Sequence, residues 1–254
     1  MERAARREGR VAEAMAALDQ VMDPELDAPV TGMGFIETLN VDDGDIDVVF
    51  RLPTFWCAAN FAYLMGCDMQ LALRGLPWAD KVRVRLVDHF AATRINAGLA
   101  GDWPFERVFC GEADGGLDRL RRTFADKAFL GRQSELIQLL RRRMSPTELL
   151  GLDVGALMEM TRHDADPDCR AAAGRHLSAR RAREGGGQRH APAFVTLEGA
   201  PIPADQLQSF LREARRVTGA ARANAALCRM QLEARYQGMD KGAGTALERE
   251  RYER

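Results

Sequence analysis

The stretch Arg51-Leu52-Pro53-Thr54-Phe55-Trp56-Cys57-Ala58-Ala59-Asn60-Phe61 decides the fold. Upstream of it the residues alternate. Ile46, Val48, Phe50 and Leu52 take one side, and Asp45, Asp47, Val49 and Arg51 take the other. A period of two is that of a half-buried strand. Downstream the period turns helical. At about 100° per residue, Cys57, Phe61, Leu64, Asp68, Leu71 and Ala72 fall on one face of a helix that runs to about Arg74. Cys57 therefore lies where a strand passes through a short loop into a helix. A thiol there sits near the positive end of the helix macrodipole, which favours the thiolate, the form that binds metal or attacks a disulfide.

Asp43-Gly44 is a tight-turn signal, and the strand before it carries Phe35, Leu39 and Val41 on one face, with Glu37 the exception. Residues 3–22 read as a helix with an apolar stripe of Val11, Met15, Leu18, Val21 and Met22. Asp23-Pro24 stops it, because the residue before a proline is pushed out of the helical region. Gly75-Leu76-Pro77 ends the helix after Cys57. In a third strand, 81–87, Val82, Val84 and Leu86 point inward and Lys81, Arg83 and Arg85 outward. Helix, strand, strand, helix, strand predicts an α/β (α+β) domain: a small mixed sheet with its helices on one face.

From Asp88 the strand signals fade into a linker-like stretch through Gly98, Gly101 and Pro104. A mainly helical C-terminal extension follows. Residues 114–142 read as helical, with Leu117, Leu120, Phe124 and Ala128 in phase, then Ile137 and Leu140, and Gly131 is a candidate interruption. Ser145-Pro146-Thr147-Glu148 is a capping-box signature for a short helix, and Asp166-Pro167 opens another that runs to Arg183. Gly185 to Gly187 reads as a hinge and 194–197 as a short strand. Residues 205–218 form an amphipathic helix with Leu207, Phe210, Leu211, Ala214 and Val217 on one face, a second helix covers 221–236, and a polar tail frays from Gln237. The expected divisions are 1–90, 91–184 and 185–254.

The totals exclude several classes. Across 254 residues, 36 Lys and Arg face 37 Asp and Glu, so bulk charge calls for neither nucleic acid nor an anionic membrane. No apolar run approaches the roughly 20 residues of a membrane span. The first ten residues are dense in Arg and Glu and lack the apolar core of a secretory signal, so a cytoplasmic location is expected. The cysteines at 57, 67, 110, 169 and 228 are odd in number and form no C-x-x-C, which argues against a disulfide framework or a self-contained metal cage. No nucleotide-binding glycine loop or paired-histidine metal helix is present, and an enzyme is not expected.

Helix, Asp23-Pro24-Glu25, a strand opening with Met33-Gly34-Phe35, a hairpin, Thr54-x-x-Cys57, a helix and a valine-rich strand together resemble the metal–sulfur (iron–sulfur) cluster assembly domain. That small α/β domain belongs to cytosolic iron–sulfur targeting, SufT-like and PaaD-type proteins, and the resemblance covers about residues 8–90. It implies that Asp23 and Glu25 match the family's acidic motif, and that Thr54 and Cys57 match its Thr-x-x-Cys loop. It also implies transient handling of iron or an iron–sulfur cluster for a client metalloenzyme such as a multicomponent oxygenase, or for another cluster-assembly protein. Trp56 and Ala58 stand where the family usually has Gly and Pro, and Met33-Gly34 stands for its Leu-Gly.

Each candidate also has a plainer reading. Cys57 is a transient ligand or a buried small hydrophobe. One thiolate cannot hold a cluster, which needs about four ligands, so a working Cys57 calls for a second chain, a homodimer or an exogenous thiol. Asp23 and Glu25 are oxygen ligands for iron, or turn formers. His89 reaches the Cys57 loop, as support or as a base, or is a packing histidine. Cys67 lies about 15 Å along the helix from Cys57 and reads as packing, as do Cys110, Cys169 and Cys228. Asp68 needs a partner, with Arg83 or Arg85 suited to it. The Arg runs at 121–122, 141–143 and 180–183 read as solvated faces. Two functions compete, a maturation factor using Cys57 and an adaptor without metal chemistry that docks a client through the 205–217 apolar face; a thiol-dependent enzyme with His89 as its only candidate base is a weaker third.

Overall fold

A computed structural model of the chain describes residues 2–110, 116–183 and 187–236. Contacts gather it into two compact units. The first comprises Met1–Met22, Ala28–Pro104 and the described part of Ala225–Arg254; the second comprises Asp23–Asp27 and Phe105–Asn224.

The first unit opens with helix α1 (Glu2–Leu18), which stops four residues before the expected end, so Val21 is buried from the segment after it. Strands β1 (Ile36–Asp42) and β2 (Asp45–Phe50) pair antiparallel around the Asp43-Gly44 turn, where Asp43 is left-handed at φ 50°. The register shifts between Ile36 and Thr38. This bulge explains the exception at Glu37: Thr38 pairs with Val49 and Ile36 with Phe50, so Glu37 is the extra residue and turns outward to Arg51, 2.7 Å away. Helix α2 (Ala59–Arg74) crosses over to β3 (Lys81–Leu86), which lies parallel to β2, giving the order β1-β2-β3. Ile46, Val48, Phe50, Val84 and Leu86 are buried on the face the helices cover. The other face carries charge: Arg83 binds Asp47 at 2.7 Å and also reaches Asp45. Arg83 therefore serves these strand neighbours rather than Asp68.

The buried face of α2 differs from the expected one. Leu64 of the expected face is buried, but so are Ala62, Met65, Met69 and Leu73, with Tyr63, Gly66 and Gln70 beside them, while Leu71 is 72% exposed. The reason lies downstream, where the expected linker contains helix α3 (Ala92–Ala100). Ile95 and Leu99 are buried, Gln70 Nε2 donates to Leu99 O at 3.0 Å, and Tyr63 donates its hydroxyl to Trp103 O. Gly66 permits the approach, since a Cβ there would meet Leu99 Cδ1 at 2.7 Å. With α3 as a second neighbour, α2 buries two sides. Asn96 also continues the ladder past β3, accepting from Leu86 N at 2.8 Å and donating to Leu86 O at 2.9 Å.

The second unit is helical. It contains α4 (Phe105–Val108), α5 (Gly116–Leu140), α6 (Pro146–Leu150), α7 (Val154–His163), α8 (Pro167–Arg181) and the first part of α9 (Leu207–Tyr236). Gly131 does not interrupt α5. Both halves of the capping box form at Ser145 and Glu148, as the sequence predicts. Helix α7 is additional, started by Asp153, whose carboxylate accepts from Ala156 N at 2.8 Å. Residues 194–197 make an isolated bridge between Val195 and Pro201, not a strand: the Gln133 side chain takes both backbone groups of Val195, donating to its O at 2.9 Å and accepting from its N at 3.0 Å. The helices expected over 205–218 and 221–236 are one element. The face expected to dock a client is the unit's own core: Leu207, Leu211 and Ala214 are buried with Leu136, Ile137, Leu140 and Phe194. The 180–183 run is structural too. Arg180 is buried and donates to Pro192 O, while Arg183 binds Asp126 at 2.7 Å and lies over the Phe129 ring. Cys169 is buried, whereas Cys110 is exposed rather than packed. Gly185, Gly186 and the tail from Gln237 lie outside the described residues. No described helix is long and apolar enough to cross a membrane.

Candidate functional site

Strand β2 delivers the chain to the Cys57 loop, and its parallel neighbour β3 ends beside that loop, where Val87, the next residue, donates its N–H to Phe50 O at 3.0 Å. A βαβ crossover brings these ends together because both strands of a parallel pair finish at the same edge. Leu52 and Pro53 are buried and anchor the loop. A turn then carries Cys57 N to Thr54 O at 3.4 Å, and the Thr54 hydroxyl lies 3.3 Å from Cys57 Sγ. Helix α2 begins two residues later, with Ala58 as an N-cap that has no side-chain oxygen to offer.

The post-β3 segment locks this loop from the other side. His89 is buried, and its Nε2 lies 2.8 Å from Cys57 O. Its Nδ1 accepts from Ala91 N at 3.2 Å. A backbone N–H can only donate, so Nδ1 must be the acceptor and Nε2 must carry the proton to Cys57 O. Burial lowers the His89 pKa, in keeping with this neutral ring. Both ring nitrogens are thus committed to backbone. His89 supports the cysteine's position and does not face Sγ as a base. Phe90 N donates to Phe55 O at 3.1 Å, a second tie across the same gap.

The thiol is half-buried, and its surroundings are aromatic. Trp56 is 74% exposed and stacks on Phe90 with centroids 5.5 Å apart; Phe90 is itself 47% exposed. Phe55 meets Trp56 edge-on at 5.0 Å. Trp56 therefore turns outward onto Phe90. Neither aromatic was marked by sequence periodicity, because both lie in loops.

The acidic motif performs turn chemistry. Asp23 Oδ1 accepts from Glu25 N at 2.9 Å and Leu26 N at 2.8 Å, and burial raises the Asp23 pKa against those two bonds. Glu25 is exposed. Among the described residues, no three His, Cys, Asp or Glu side chains converge where they could hold a metal ion. A donor set of one thiolate beside one hydroxyl is too small for a resident cluster.

Residues 12–86 match the family model described as iron-sulfur cluster assembly protein. The match takes in the last part of α1, the sheet and α2 and includes Asp23, Glu25, Thr54 and Cys57, the residues on which the resemblance rests. It supports a general role in iron–sulfur cluster assembly. No curated protein matches the chain.

Proposed function

We propose that this chain is a non-catalytic accessory protein of iron–sulfur cluster assembly, in which Cys57 gives one thiolate to iron or a cluster in transit to a client. The observation that carries the reading is the position of Cys57 within the matched 12–86 segment: half-buried, and fixed by backbone bonds on both sides of its loop. A single donor suits cargo that moves, because the missing ligands then come from the receiving protein, from another assembly protein or from a second copy of this chain. Asp23 and Glu25 would add oxygen ligands only through such a partner. The client class implied by the PaaD-type resemblance is a multicomponent oxygenase, and the expected compartment is the cytoplasm.

The test is anaerobic reconstitution with iron, sulfide and a small thiol. Wild type should retain iron with a sulfur-to-iron charge-transfer band, and Cys57→Ser should lose both. Equal iron in the two proteins would remove the metal role.

The exposed Trp56–Phe90 stack favours a second reading, an adaptor that keeps the fold and docks its client through these rings. Client binding would then survive Cys57→Ala and fail in Trp56→Ala.

A further inference from the structure

We propose that the end of the long C-terminal helix, residues 225–236 of α9, is a strap that positions the Cys57 thiol, with Asp88, Arg235 and Tyr236 as its positioning residues. The consequence for metal handling rests on the reading of Cys57 as the working group; the strap itself does not. These twelve residues lie outside the matched segment yet belong to the first compact unit. One helical face makes the contacts. Leu232 is buried at Gly34, where φ is 75° and an added Cβ would meet Leu232 Cδ2 at 3.3 Å. Arg229 Nη1 reaches Met33 Sδ at 3.5 Å. One turn on, Arg235 Nη2 binds Asp88 Oδ2 at 2.8 Å and the Tyr236 hydroxyl donates to the same oxygen. Exposed Leu227 and Met230 lie off this face.

Asp88 is the residue through which the strap reaches the thiol. Its backbone is left-handed at φ 53°, a conformation aspartate adopts more readily than most residues with a Cβ, and the Arg235 and Tyr236 contacts fix its carboxylate there. It directly precedes His89, whose Nε2–H holds Cys57 O. The strap also meets the other end of the loop. The Arg51 guanidinium stacks over the Tyr236 ring at 4.1 Å, and Arg51 is the last residue before the buried Leu52-Pro53 anchor. Arg235 Nη1 is buried without a hydrogen-bond partner among the described residues, and its guanidinium pairs with Asp88 and lies 5.3 Å from the centre of the Tyr236 ring. Releasing the strap frees Asp88 to leave the left-handed region, turns His89 out of register and removes the bond that fixes the Cys57 carbonyl.

The test follows alkylation of each cysteine by peptide mass spectrometry in the full-length protein. Cys67, in α2 of the same unit, is the internal reference for general loosening. Tyr236→Phe and Asp88→Ala should each speed Cys57 modification, by about tenfold for Asp88→Ala as expected for loss of charge-assisted hydrogen bonds, with Cys67 unchanged. Asp88→Asn tolerates the left-handed backbone and still accepts from Tyr236 but drops the charge paired with Arg235, so its Cys57 rate should fall between those of wild type and Asp88→Ala. The His89 ring nitrogens should lose their fixed Nε2–H tautomer in nitrogen NMR of Asp88→Ala. An unchanged Cys57 rate in both Tyr236→Phe and Asp88→Ala overturns the strap, and so does an equal rise at Cys57 and Cys67. Selective Cys57 release together with failed iron reconstitution would leave the strap standing and remove the metal reading.

Discussion

His176 makes the second unit acid-sensitive by a calculable amount. It is fully buried on α8, with Nε2 2.9 Å from Ala193 O and its ring stacked on Phe194 at 5.5 Å. Its Nδ1 is buried without a hydrogen-bond partner among the described residues, so a second proton has nowhere favourable to go. Burial accordingly lowers the pKa from 6.5 to about 4, with the charges of Arg180 and Arg132 acting in the same direction. The unfolded chain takes up the proton first. The stabilisation is fully present above pH 6.5 and is lost as pH falls towards 4. At about 1.4 kcal/mol per tenfold, the loss at pH 4 is about 3 kcal/mol. With a urea dependence of about 2 kcal/mol per molar, the midpoint should drop by about 1.5 M. The comparison is His176→Gln, whose amide can still donate to Ala193 O but does not titrate. All three tryptophans, 56, 78 and 103, lie in the first unit, so fluorescence follows that unit while far-ultraviolet circular dichroism also registers the second. Wild type should lose its lead over the glutamine variant in the dichroism transition as pH falls. A His176 ring proton that titrates near pH 6.5, or equal acid sensitivity in both proteins, would refute the reasoning.

Two further outcomes test the fold around the site. Gly34→Ala forces a Cβ into a left-handed residue against Leu232, and should destabilise the first unit by about 1–2 kcal/mol in fluorescence-monitored unfolding. Ser145→Ala removes the capping-box oxygen that accepts from Glu148 N, and should cost about 1 kcal/mol in the dichroism transition while the fluorescence transition stays in place.

Much of the first unit is legible because its signals are local. Alternation over 45–52, the Asp43-Gly44 turn and the valine-rich third strand each follow from period and turn chemistry, and βαβ handedness leaves few ways to join them. The Thr54-x-x-Cys57 loop could be placed because a change of period marks a strand-to-helix junction. Glu37 was visible as an exception but not as a bulge, since a bulge is defined by the partner strand.

What only the tertiary structure decided involves partners distant in sequence. Helix α3 has a weak periodic signal over nine residues, and its packing turned the buried face of α2 away from Leu71. His89 could be named from its place after β3, but its tautomer depends on Cys57 O and Ala91 N together. The apolar face of 205–217 looks the same in sequence whether a client or the chain's own helical core covers it. The return of residues 225–236 to Asp88 pairs groups 148 residues apart for Tyr236. The sequence by itself determined the small sheet, its crossover helix and the cysteine at their junction, because periodicity and turn chemistry act over a few residues. The tertiary structure alone decided what holds that cysteine in place, because hydrogen bonds and burial between distant segments leave no periodic trace in the chain.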